Sequence, residues 1–167
     1  MMKAVWSGVA SAVAVVFLSA PAAFAQATAP GSISVTANVN AKAKLTLGTG
    51  AFAFADSDPD VTPTMTSAAI AIDVRARTTA TGAVTLTVLA SGDLSSGSAT
   101  IAISNLTWTA TGTGFVAGTS NKVVAQTLGS WTGSGSPTGT HTFALPNSWS
   151  YATGAYTVTL NYTLTSP

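Results

Sequence analysis

The chain has no cysteine, no glutamate and a single histidine, His141, and only 7% of its 167 residues are charged. Without cysteine there are no disulfides, no thiol nucleophile and no thiolate metal site, so stability must come from the core and from backbone ladders. Paired-carboxylate glycosidase chemistry needs two acids across a cleft, yet three of the five aspartates lie together in one loop. A Ser-His-Asp site would have to use His141, but no G-x-S-x-G elbow is present. His141 also shares the parity of Phe143 and Leu145, as a packed strand residue would. These gaps read as a protein that is not an enzyme. Beyond residue 25, five Lys/Arg face five Asp, and no run of cations suits the neutralisation of several phosphates, which argues against nucleic acid as a partner. No run of eighteen apolar residues is present, so no membrane span is expected. No stretch after the N-terminal segment carries a 3.6-residue stripe.

The N-terminus reads as a signal peptide over residues 1–25. Lys3 gives a positive start, residues 9–18 are apolar, and Ala23-Phe24-Ala25 has the small-x-small pattern of a cleavage site. The expectation is an exported protein, secreted or at the cell surface, and in the periplasm or on the outer surface if the cell is Gram-negative. Residues 26–167 are then 142 residues, a length that suits a single domain.

What is present in quantity is alternation. In residues 33–47, ISVTANVNAKAKLTL, apolar side chains take every odd position and polar ones every even position. A fully extended run of this length reaches about 50 Å, whereas a usual strand has about 5–6 residues. Period-2 patterns recur at Ile70, Ile72 and Val74, at Val84, Leu86 and Val88, at Ile101 and Ile103, and at His141, Phe143 and Leu145. A weaker strand is expected over residues 123–128. The last pattern places Tyr156, Val158, Leu160, Tyr162 and Leu164 on one face. Parity changes near Asn105, which predicts a bulge or bend there. Gly, Ser, Asn and Pro fill the spacers 56–67, 91–98, 111–114, 129–139 and 146–154. The predicted fold is all-β, an antiparallel β-sandwich of the immunoglobulin-like or jelly-roll kind with about eight or nine strands, preceded by the extended strand 33–47.

Two polar or aromatic groups stand out as candidate sites. The loop ADSDPDVTP offers Asp56, Asp58 and Asp60, whose alternation starts like an EF-hand. Val61 and Ser67 occupy the sixth and twelfth positions, where Gly and Glu are required, so the choice is between a looser surface Ca²⁺ site and a solvated Asp/Pro turn. Trp131, Trp149 and Tyr151 lie in or beside Gly/Ser-rich spacers, with Asn147 nearby. They read either as a sugar-stacking platform or as core and loop anchors.

The C-terminal YTVTLNYTLTSP resembles the closing motif of WxL-domain proteins, secreted β-sandwiches that bind the bacterial cell wall. Tyr156, Leu160, Leu164 and Pro167 match, and Tyr162 stands at the tryptophan position. The ending and the layout also resemble chaperone-usher pilins and spore coat protein U-like subunits, in which a signal peptide and an alternating extension precede a Thr-rich sandwich. Those relatives commonly carry a cysteine pair that this chain lacks.

Two explanations of residues 33–47 remain open. Either the run splits near Asn40-Ala41 and each half pairs in its own sheet, with Lys42 and Lys44 guarding an edge, or residues 33–39 leave the molecule to complete a neighbour's sheet. In the second case Ile33, Val35, Ala37 and Val39 are the donor side chains, and head-to-tail repetition gives oligomers or filaments. The functional expectation is a surface structural or adhesive subunit; the alternative is a monomeric secreted module that binds cell-wall or extracellular glycans.

Overall fold

The structure is a computed structural model that describes residues 29–167; the signal peptide lies outside the described residues. The chain divides between Ala37 and Asn38 into two units, a boundary that falls inside the stretch expected as one domain. In the first unit the described residues carry no strand, and all are exposed.

The second unit is all-β. Its described residues form eleven strands and one 3-10 turn, Ile103–Asn105, and no helix among them is long and apolar enough to cross a membrane. The strands are β1 (Lys42–Leu47), β2 (Thr64–Thr66), β3 (Ile70–Arg77), β4 (Ala83–Ala90), β5 (Leu94–Ser96), β6 (Ala99–Ile101), β7 (Thr107–Thr111), β8 (Gly118–Thr119), β9 (Gln126–Thr132), β10 (Thr138–Pro146) and β11 (Leu160–Thr165). One sheet runs β1-β3-β10-β7-β8, with β2 also on β10; a second runs β11-β4-β9; β5 and β6 form a hairpin. Every pairing within the sheets is antiparallel.

The period-2 patterns become the core, as alternation at one buried face requires. Ile70, Ile72 and Val74 of β3 and His141, Phe143 and Leu145 of β10 are buried together with Val84, Leu86, Val88 and Ala90 of β4 and Leu128 of β9. Two of the crossovers between the sheets are β3 to β4 and β9 to β10. They run side by side, with Gly133 N–H donating to Gly82 O at 2.8 Å and Thr78 N–H to Ser134 Oγ at 2.9 Å. Residues 114–119 join the sheets on another edge. Val116 N–H donates to Leu128 O at 2.9 Å, while β8 pairs with β7.

The extra strands have local causes. Residues 64–77 run along one side of β10 but slip by one residue between β2 and β3. Ser67 fills the slip: its Oγ accepts the Phe143 N–H at 3.0 Å and its N–H donates to Phe143 O at 2.9 Å. A hydroxyl thereby replaces the missing ladder partner of a buried amide. The parity change near Asn105 is the 3-10 turn, which carries Ile103 into the core before β7 begins.

The expected strand over residues 123–128 is displaced. Val123 and Val124 are exposed in a turn whose amides both donate to Asn121 Oδ1, and β9 starts at Gln126 and runs through Gly129. The long first strand is also shorter than its alternation. Strand begins at Lys42, next to the predicted split, and pairs with β3; residues 33–41 carry no strand.

Candidate functional site

Four loci drew attention in the sequence, and the structure distributes them unevenly. Trp131, on β9, is half-buried. Its Nε1–H donates to Thr113 O at 2.8 Å, and its ring meets Phe115 edge-on at 4.9 Å. Gly114, at φ +84°, lies so close that any Cβ there would strike the indole. Such fixation is that of an anchor between the 112–116 turn and β9. Tyr151 is half-buried as well, packs on the core, and takes a long hydrogen bond from Asn105 Nδ2 at 3.5 Å.

Asn147 and Trp149 instead meet the aspartate loop. Asn147 spends its amide donors on Ser57 O at 2.9 Å and Thr62 O at 3.1 Å, and its backbone N–H donates to Pro63 O at 2.9 Å. Trp149 is 70% exposed, yet its Nε1–H donates to Asp60 Oδ1 at 3.1 Å. Ser148 and Ser150 hold the turn beneath it through their hydroxyls, 2.8 Å apart. Two features that looked separate in the sequence are therefore one corner, an indole with an open face whose polar edge is tied to a carboxylate.

The same bonds bear on the Ca²⁺ reading. Asp58 Oδ1 accepts the Asp60 N–H at 2.8 Å, closing the turn of the solvated-loop alternative, and Asp60 is engaged by Trp149. Among the described residues no three His, Cys, Asp or Glu side chains converge, so Asp56, Asp58 and Asp60 do not form a cage that would supply six or more oxygens.

His141 is more deeply placed than a residue at the end of a half-buried strand. It is wholly buried, opposite Ala110 of β7 and Ile70 of β3, with the rings of Phe115 and Trp108 at 5.6 and 6.5 Å. Neither ring nitrogen has a hydrogen-bond partner among the described residues. Burial pushes its pKa below the usual histidine value; the Leu128 backbone, outside hydrogen-bond geometry, pulls weakly the other way. Among the described residues no serine hydroxyl or carboxylate hydrogen-bonds the imidazole, as the base of a Ser-His-Asp triad would require.

The fourth locus is the strand edge. The expectation that the last strand buries five apolar side chains holds only in part, since Tyr156, Val158, Leu160, Tyr162 and Leu164 are each half-buried. Burial still pushes the Tyr162 phenol up to about 12. β11 is the outermost strand of its sheet and forms a ladder only with β4, while β1 of the other sheet packs near it. Ser91 N–H donates to Thr159 O at 2.9 Å, and Thr157 and Ser95 exchange backbone bonds. In antiparallel alternation the odd residues thus face β4 and β5. The N–H and C=O groups of Val158, Leu160, Tyr162 and Leu164 then point to the outer edge, where no described strand pairs with them. Ahead of β1, Ile33, Val35 and Val39 are 91%, 87% and 68% exposed, and Ala37 is exposed too. Neither the known protein families nor the curated proteins yield a significant match to this chain.

Proposed function

We propose that the chain is a non-enzymatic, exported surface subunit, structural or adhesive, that assembles when residues 33–39 of one copy add to the outer edge of β11 in the next. The observation that carries this reading is the exposed apolar alternation of Ile33, Val35, Ala37 and Val39 ahead of the first strand. An apolar row of this kind gains about 25 cal/mol for each Å² it removes from water. Parity supports the match. With the apolar row turned toward Leu160, Tyr162 and Leu164, the intervening Ser34, Thr36 and Asn38 lie beside Asn161 and Thr163 on the wet face. Seven extended residues span about 23 Å, close to the about 20 Å of six-residue β11. Donor and acceptor are different surfaces, so the contact is heterologous and propagates as an open filament.

Light scattering on the exported chain is expected to show oligomers, and Val35→Asp to leave monomers. Thr36→Asp, on the opposite parity, should still assemble. Equal assembly of the two variants, or a monomeric parent, would remove the reading.

The exposed Trp149 favours a second reading, a monomeric module that stacks a neutral glycan on the open indole face. Trp149→Ala is then expected to abolish retention on an immobilised cell-wall glycan while shifting stability by no more than about 0.5 kcal/mol, as for an exposed side chain. Unchanged retention would exclude the platform.

A further inference from the structure

The register of β1 on β3 sets Lys42 opposite Arg77 and Lys44 opposite Arg75. Directly opposed residues of an antiparallel pair share a face. Here it is the outward one, because Leu45 and Leu47 turn inward with Val74 and Ile72. Four of the five cations beyond residue 25 therefore stand as two stacked like-charge pairs on one exposed strip. The strip measures about 7 Å along the strands and about 5 Å across them. Like charges directly opposite destabilise a sheet, and a chain with so few charges has ample neutral residues for these places.

Compensation is sparse. Asp73 reaches Arg75 at 3.2 Å, and Arg77 Nε–H donates to Asn40 O at 2.8 Å; among the described residues Lys42, Lys44 and Arg77 have no carboxylate partner. The fifth cation, Lys122, is tied to Asp93 at 2.6 Å, which together with the Ile103 amide holds that carboxyl below its usual range. The acidic loop lies at the other end of the same sheet edge, since β2 pairs near Pro146 whereas Ala76 bridges Gly135. The two charge clusters do not neutralise each other there.

We infer that this strip binds an anionic polysaccharide. Next to the cations the outward face continues in Thr46 of β1 and Thr138 of β10, which flank the Asp73 carboxylate that bonds Arg75, and then in Thr140 of β10 and Thr111, whose Oγ1 lies 2.7 Å from that of Thr140. Charged groups of the ligand fall on the cations and its hydroxyls on the threonines. The strip carries no aromatic ring on which a base would stack and no large apolar side chain to enter a bilayer. A sugar chain with repeated carboxylates fits better than nucleic acid or lipid.

The test is affinity electrophoresis of the exported chain through gels containing alginate or neutral dextran at several salt concentrations. Alginate but not dextran should retard it, with affinity falling roughly hundredfold over a fourfold rise in salt, as expected for about four released counterions. Lys42→Gln/Lys44→Gln should cut that fall to roughly tenfold and weaken low-salt binding at least about tenfold. Its melting temperature should be no lower than the parent's, because the like-charge pairs are gone. Lys44→Gln alone, with the same readouts at smaller amplitude, serves if the double variant does not fold. Lys122→Gln, off the strip, should bind as the parent does. Undiminished binding by the double variant overturns the inference. So does equal retardation by dextran, an equal loss in Lys122→Gln, or tighter binding to phosphatidylglycerol vesicles or duplex DNA than to alginate.

Discussion

Phe143→Ala is expected to lower the unfolding free energy by about 3–5 kcal/mol, the cost of emptying a large aromatic site that cannot collapse. The ring is wholly buried, stacks on Phe52 at 4.8 Å with planes 15° apart, and lies 6.1 Å from Trp108. It sits on β10, the strand that pairs with β2, β3 and β7. A side chain lost there loosens the packing of the sheet to which those neighbours belong. Against a total of about 5–15 kcal/mol for a domain, the loss is roughly a fifth or more of what holds the fold. Urea unfolding reads it as a fall in midpoint at unchanged slope. A shift below about 1 kcal/mol would mean that the Phe52 loop moves in to fill the space.

Acidification should unfold the protein earlier than its few carboxylates alone would, because of His141. Its pKa in the fold is depressed, first by burial, so the native state holds it neutral while the unfolded chain takes up a proton near pH 6.5. The contribution is therefore complete above about pH 6.5 and is lost as pH falls from there through the depressed folded value, at up to about 1.4 kcal/mol per pH unit. No charged group faces the imidazole from β3, β7, β9 or the 112–116 turn, where its neighbours are Ile70, Ala110, Trp108, Leu128 and Phe115. Nothing in that set offers a counter-ion. His141→Leu removes two unpartnered nitrogens at similar volume, a change that is nearly neutral or stabilising at neutral pH. It should flatten the stability profile below about pH 6.5. A parent profile that is already flat there, or a variant that keeps the slope, would refute the account.

The two strands that carry these predictions differ in how they were legible. His141, Phe143 and Leu145 announce a buried face by alternation, but the depth of His141 does not follow from it. That depth arises because β10 lies in mid-sheet with β3 and β7 on either side, a placement set by pairings about seventy and thirty residues away. Residues 123–128 misled for the complementary reason. Val123 and Val124 have strand propensity, yet Asn121 Oδ1 caps their amides in a turn, and β9 passes through a glycine-rich spacer because Gly129 leaves room for the Trp131 ring. Local chemistry outranked propensity there.

The candidate sites show the same division. Asp60 and Trp149 are 89 residues apart and become one corner only when the β2 and β10 ends meet. The cationic strip is hidden further. Lys42 and Lys44 read as edge guards, whereas Arg75 and Arg77 only alternate with aliphatic side chains in the sequence, and the available signal was that each pair has outward parity. The sequence by itself determined the all-β class, the faces of β3, β4, β10 and β11, and the absence of thiol chemistry, because side-chain alternation and residue type are local properties of the chain. Which strands share a sheet, how β1 registers on β3, and whether a half-apolar strand ends up central or at an edge were decided by the tertiary structure. Those choices rest on contacts between distant segments, and a period-2 pattern assigns every strand two faces without naming a neighbour for either.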